Sequence, residues 1–109
     1  MEPDQAVEAL ASLAQEHRLA IFRLLVQAGS DGMIAGEIAD NLGVPASTLS
    51  FHLAHLTRSG LISQERKSRM LVYRADYSAM NRLVAYLVEN CCAGDACAVD
   101  LLATQGVCL

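Results

Sequence analysis

Two apolar-periodic segments separated by Gly43-Val44-Pro45 constrain this chain more than any other feature. Glycine takes a left-handed backbone cheaply and proline suits the first turn of a helix, so the tripeptide predicts a tight turn between two helices. The second segment carries Leu49, Leu53 and Leu56 at i, i+4 and i+7 and stops at Gly60. It predicts a helix from Pro45 to about Ser59 with its leucine side in a core. Ser47, Thr48, Ser50, Phe51, His52 and His55 fall on the remaining surface. The first segment, Met33 to Asn41, predicts a short helix burying Ile34, Ile38 and Leu42.

Upstream, Asp4 to Ala14 reads as a helix with Val7, Leu10, Ala11 and Leu13 along one side. A second helix covers Glu16 to Ala28, with Leu19, Ile21, Phe22, Leu25 and Val26 largely buried and Gly29 as its stop. After Gly60 the pattern changes. Leu61 to Glu65 and Met70 to Ala75 are short strand candidates, and the polar, basic Arg66-Lys67-Ser68-Arg69 joins them as a hairpin. A last helix, from Asp76 or Tyr77 to Asn90, carries the stripe Met80, Leu83, Val84, Leu87 and Val88. The fold expected is mainly α with a small β-hairpin: a winged helix-turn-helix of about five helices, the hairpin being the wing. At 109 residues it forms one domain, with a thiol-rich tail over 91–109 and no length for a separate catalytic domain.

Net charge is −4, which on average opposes nucleic acid, but the distribution reverses the inference. Seven acidic residues fall within positions 1–40, whereas Pro45 to Ala75 holds five bases (Arg58, Arg66, Lys67, Arg69, Arg74) against one acid, Glu65. The local field at the contact surface governs phosphate binding more than the total does. A groove-reading helix needs short hydrogen-bonding side chains on its open side, a need met by Ser47, Thr48, Ser50 and His52, with His55 one turn on. Phe51 is odd in that row: it meets a thymine methyl or packs inward against the wing. His52 and His55, three apart, are a weaker candidate for a shared metal, since no acid or thiol lies near them in sequence. Arg66, Lys67 and Arg69 are placed to neutralise backbone phosphates of double-stranded DNA beside the groove. Paired half-sites demand a symmetric reader, so Val7, Leu10, Leu83 and Leu87 are expected to join a homodimer.

All four cysteines lie in the last 19 residues, three of them in Cys91-Cys92-Ala93-Gly94-Asp95-Ala96-Cys97. Cysteines meant to staple a fold would be spread through it, and clustered thiols in a reducing compartment bind metal or respond to oxidation. Gly94 lets the chain turn so that Cys97 approaches Cys91 and Cys92. Three thiolates with no histidine suit a three-coordinate soft ion such as trivalent arsenic or antimony, whereas zinc prefers four ligands. Cys108 completes a four-thiolate set, so zinc and cadmium stay open, as do an oxidation sensor and a buried apolar role. A thiol-based metalloid carrier or enzyme is the rival class. It lacks the Cys-x5-Arg loop that a reductase would use, and no enzyme activity is expected. No apolar run approaches the roughly 20 residues that span a bilayer, and Met1-Glu2-Pro3-Asp4 lacks a basic leader start, so a cytoplasmic protein without membrane contact is expected.

From about Glu16 to Glu89 the chain resembles the ArsR/SmtB family of metal-responsive winged-helix repressors. The matching stretches are Glu16-His17-Arg18-Leu19-Ala20-Ile21, Gly36-Glu37-Ile38-Ala39, Thr48-Leu49-Ser50-Phe51-His52-Leu53-Ala54-His55-Leu56 and Gly60-Leu61-Ile62. The resemblance implies a dimeric repressor that leaves its operator on binding an inducer and holds no permanent cofactor. Glu89-Asn90-Cys91-Cys92 with Cys97 is similar to the arsenic-responsive subgroup whose thiols follow the last helix. That similarity places arsenite or antimonite on Cys91, Cys92 and Cys97. The Cys-Val-Cys motif of another subgroup is absent, and Phe51 stands where the family commonly has glutamine.

Overall fold

The computed structural model describes residues 1–90. Their elements run α1 (Pro3–Leu13), α2 (Glu16–Ala28), β1 (Met33–Ile34), α3 (Ala35–Leu42), α4 (Ala46–Arg58), β2 (Ile62–Lys67), β3 (Met70–Ala75) and α5 (Tyr77–Leu87). Side chains set several of the helix starts. Gln15 accepts the Arg18 amide at 3.0 Å and opens α2, and Asp76 accepts the Ala79 amide at 3.0 Å and opens α5. Between α3 and α4, Gly43 sits at φ 64° and ψ 34°, and its amide donates to the Ala39 carbonyl at 2.8 Å. A left-handed residue there closes α3 and redirects the chain at once into α4.

The sheet is antiparallel, in the order β1-β3-β2. β2 and β3 form the hairpin in the register Lys67↔Met70 through Ile62↔Ala75, so the two-residue loop is Ser68-Arg69, with Ser68 at φ 57°. Its base is tied to the body, where the Asp76 amide donates to the Leu61 carbonyl at 2.9 Å. The core lies where α2, α3 and α4 meet: Ile21, Leu25, Ile38, Leu49, Leu53, Leu56 and Leu61 are all essentially without solvent contact. Each such side chain contributes about 1.5–3 kcal/mol relative to exposure. The three leucines of α4 therefore fix which side of that helix looks out.

Several expectations are corrected. Met33 and Ile34 are not helical: they pair with Tyr73 and Val72 of β3 as a third strand, and α3 starts after them. The side of α1 named from sequence divides: Leu13 is partly buried against the core, Val7, Leu10 and Ala11 face outward, and the buried side is Ala6, Ala9 and Ser12. Small side chains let α1 lie close on its neighbours along Ala6, Ala9 and Ser12. Leu19 is exposed rather than buried. Pro45 precedes the first turn of α4 instead of occupying it, Arg66 and Lys67 belong to β2 rather than to the turn, and α5 ends at Leu87. Cys91, Cys92, Cys97 and Cys108, with the rest of 91–109, lie outside the described residues.

Candidate nucleic-acid interface

With Leu49, Leu53 and Leu56 turned inward, α4 presents Ser47, Ser50, Phe51, Ala54 and Arg58 as one outward stripe at spacings of three and four. Thr48 is half-buried at the edge of the stripe. Phe51 is 62% exposed, so it does not pack inward against the wing. Ala54 is a stripe member that the sequence pattern leaves unmarked, and Arg58, one of the five bases of this region, joins the stripe seven positions after Phe51.

His52 and His55 leave the reading surface. His52 is buried on α4 beside the first turn of α2, with its ring 5.4 Å from that of His17. The Arg18 guanidinium is 3.4 Å from His52 Nδ1. Arginine only donates, so this contact requires an unprotonated imidazole nitrogen. Burial, then the charge of Arg18 and the neighbouring His17 and His55, hold the His52 pKa below its ordinary value of 6.5. His55 is half-buried, with Nδ1 3.0 Å from Ser12 Oγ. Ser12, on the far helix α1, has no solvent contact. Its carbonyl accepts from Arg18 Nε at 2.7 Å, and its hydroxyl lies 3.2 Å from that of Ser59, which donates to the Leu56 carbonyl at 3.0 Å. The two histidines thus hold α4 in its seat. Among the described residues no group of three or more His, Cys, Asp and Glu is arranged to hold a metal ion.

The wing lies beside α4. Opposed residues of an antiparallel pair share a face, so Gln64 and Arg66 lie on the same side as Tyr73 and Leu71. That side faces α4, since Gln64 and Tyr73 line a groove with Ser50, Leu53 and Ala54. Lys67 is on the opposite side and Arg69 at the tip, and Arg66, Lys67 and Arg69 are all exposed. Arg74, counted from sequence among the bases of this region, is otherwise engaged. Its Nη1 is 2.7 Å from Glu65 Oε1, and its Nε donates to the Ser30 carbonyl at 2.7 Å. Removing this ion pair from the count leaves three bases and no acid on the open part of the hairpin.

The apolar residues expected at a subunit junction divide. Val7, Leu10 and Leu87 are exposed at 65%, 41% and 56%. Leu83 is buried in the protomer's own core, because α5 turns that position toward the body. No helix among the described residues is long and apolar enough to cross a membrane.

Residues 13–65 match a family model described as a helix-turn-helix domain. The HTH-type transcriptional regulator YgaV of Escherichia coli K12 is 34% identical over 89 residues, covering 82% of this chain and 88% of YgaV. An ArsR-like transcriptional regulator from Rhodococcus sp. RHA1 superposes with a TM-score of 0.71 at 26% identity, over 84% of this chain and 82% of the other. The homodimeric winged helix-turn-helix DNA-binding domain of Mb0332 from Mycobacterium bovis, a fragment over 1-100, has a TM-score of 0.65 at 24% identity, covering 88% of this chain and 89% of that fragment.

Proposed function

The chain belongs to the helix-turn-helix transcriptional regulators of the ArsR type, and on that premise we propose that it is a homodimeric repressor relieved by a soft ion. The observation that carries the DNA-binding reading is the outward stripe of α4 beside the exposed Arg66, Lys67 and Arg69. Ser47, Ser50 and Phe51 enter the major groove with Thr48 at its edge, and the wing bases neutralise phosphates alongside. Two protomers meet through α1 and α5, where Val7, Leu10 and Leu87 stand unburied. The homodimeric state of Mb0332 supports that assembly.

The inducer in this reading is trivalent arsenic or antimony, held by Cys91, Cys92 and Cys97. The first of these thiols stands four positions beyond the end of α5. Drawing three sulfurs around one ion beside α5 alters how α5 and α1 sit in the dimer. Through Ser12 and His55 that change reaches the reading helix. A coupling of about 1–3 kcal/mol lowers DNA affinity roughly 5- to 150-fold.

The test is to titrate arsenite, antimonite, cadmium and zinc into the protein bound to an operator duplex. The same titrations are run on Cys91→Ser, Cys92→Ser, Cys97→Ser and Cys108→Ser. Release by arsenite that is lost in the first three variants and kept in the fourth is the expected result. Arsenite release unchanged in all of the first three refutes the assignment. Release by cadmium or zinc alone, with Cys108 required, replaces it with a four-thiolate site.

A further inference from the structure

We propose that Phe51 reads the 5-methyl group of a thymine in the major groove, giving each half-site one apolar point of sequence choice. The inference deepens the DNA-binding reading and rests on α4 being the groove-facing helix.

Phe51 is the one large apolar side chain on the outward stripe of α4, and its stripe neighbours Ser47, Ser50 and Ala54 are small. The small neighbours let a surface approach the helix closely, and the ring is then the first group it meets. The groove between α4 and the wing does not take the ring, being lined by Ser50, Leu53, Ala54, Gln64 and Tyr73 among others. The ring instead stands against the His52 ring, with centroids 5.4 Å apart and planes at 66°. His52 is buried and in contact with Arg18, so it is a fixed buttress that holds the phenyl group outward. Of the exposed wing bases, Arg66 lies on the side of the hairpin that faces α4, which suits a polyanion rather than an apolar protein surface.

A phenyl ring has no donor or acceptor, so against a polar base edge it would desolvate that edge and return nothing. Among the groups that base pairs present in the major groove, the pyrimidine C5 methyl is the apolar one, and in unmodified DNA it belongs to thymine. Ring and methyl remove each other from water without needing a defined hydrogen-bond geometry. Burial of one methyl-sized group corresponds to about a fourfold change in affinity.

The experiment uses the full-length chain and a duplex that it selects from a random pool. Each thymine of that duplex is replaced singly by deoxyuridine, which deletes the methyl and keeps the pairing edge. Affinity is measured by fluorescence anisotropy at constant salt for the wild type, Phe51→Ala and Phe51→Leu. The wild type should lose about fourfold at one thymine per half-site and little elsewhere. Phe51→Ala should be insensitive to that replacement, and Phe51→Leu should recover much of the sensitivity. Phe51 is exposed, so both variants fold, which circular dichroism checks. Wild-type binding that ignores every replacement overturns this proposal alone. So does Phe51→Ala that keeps the full response. Failure of the wild type to enrich any duplex overturns the DNA-binding reading with it.

Discussion

Arg69 and Arg74 sit five positions apart on one hairpin and look equivalent in sequence, yet their surroundings predict opposite effects on DNA binding. Arg69 is exposed at the tip, whereas Arg74 is shared between the Glu65 carboxylate and the Ser30 carbonyl, both at 2.7 Å. Each neutralised phosphate contributes about 0.9 to the slope of log affinity against log salt. In a dimer Arg69→Ala removes two such contacts, so the slope should become shallower by about 1.8. Over a fourfold rise in salt, from about 50 to 200 mM, the variant should therefore lose roughly twelvefold less affinity than the wild type does. The double variant Arg74→Ala/Glu65→Ala deletes one charge of each sign and should leave the slope within measurement error. Its effect belongs to stability and is small, since a pair this exposed to water contributes under about 1 kcal/mol. Anisotropy titrations across that salt range measure both slopes on one duplex. Equal flattening by the two variants would refute the reasoning, because it would put Arg74 on the phosphates and the wing in another orientation.

Two further outcomes follow from the packing. The His52 pKa is lowered in the folded chain, so as pH falls below its ordinary 6.5 the unfolded state takes up the proton first. Stability should decline from about that pH down through the folded value and level off below it. Urea titrations from pH 8 to 5 should show a steeper loss for the wild type than for His52→Gln; parallel curves would remove His52 from the account. The second concerns Gly32, at φ 66°, where an added Cβ would lie 2.5 Å from the Tyr73 carbonyl oxygen and 2.8 Å from Val72 Cγ1. Gly32→Ala should cost about 2 kcal/mol or more, lowering the melting temperature by roughly 10 °C. Gly36→Ala has open space around it and should be neutral or stabilising by about 0.5 kcal/mol, so equal losses in the two would contradict the close approach.

Local chemistry decides how far the fold and its site were legible in the sequence. The leucine spacing of α4 is visible because a 3.6-residue period needs no knowledge of distant partners, and Leu49, Leu53 and Leu56 are indeed its buried side. The hairpin is visible for the same reason, since its turn chemistry and strand pattern are both local. β1 is not, because two residues have no period and Met33 becomes a strand only by pairing with Tyr73. The buried side of α1 is hidden for a different reason. Hydrophobicity marks Val7, Leu10, Ala11 and Leu13 as one side of the helix, but close helix approach within the protomer buries Ala6, Ala9 and Ser12. For His52 the sequence suggests a polar side chain free to meet DNA, and the partners that bury it, His17 and Arg18, stand on another helix. Phe51 reads either way in the sequence, and only its exposure on the folded α4 decides between them.

The buried hydroxyl of Ser12 joins helices 43 positions apart in sequence. A methyl group there would fill nearly the same space but could neither pair with the imidazole of His55 nor stay in register with Ser59. The molecule is therefore geared rather than greased at this seam: rolling α1 by a fraction of a turn must drag α4 along or break the bond between them. The seating of α4 is thus tied to a helix distant in the sequence, through a single hydroxyl on α1.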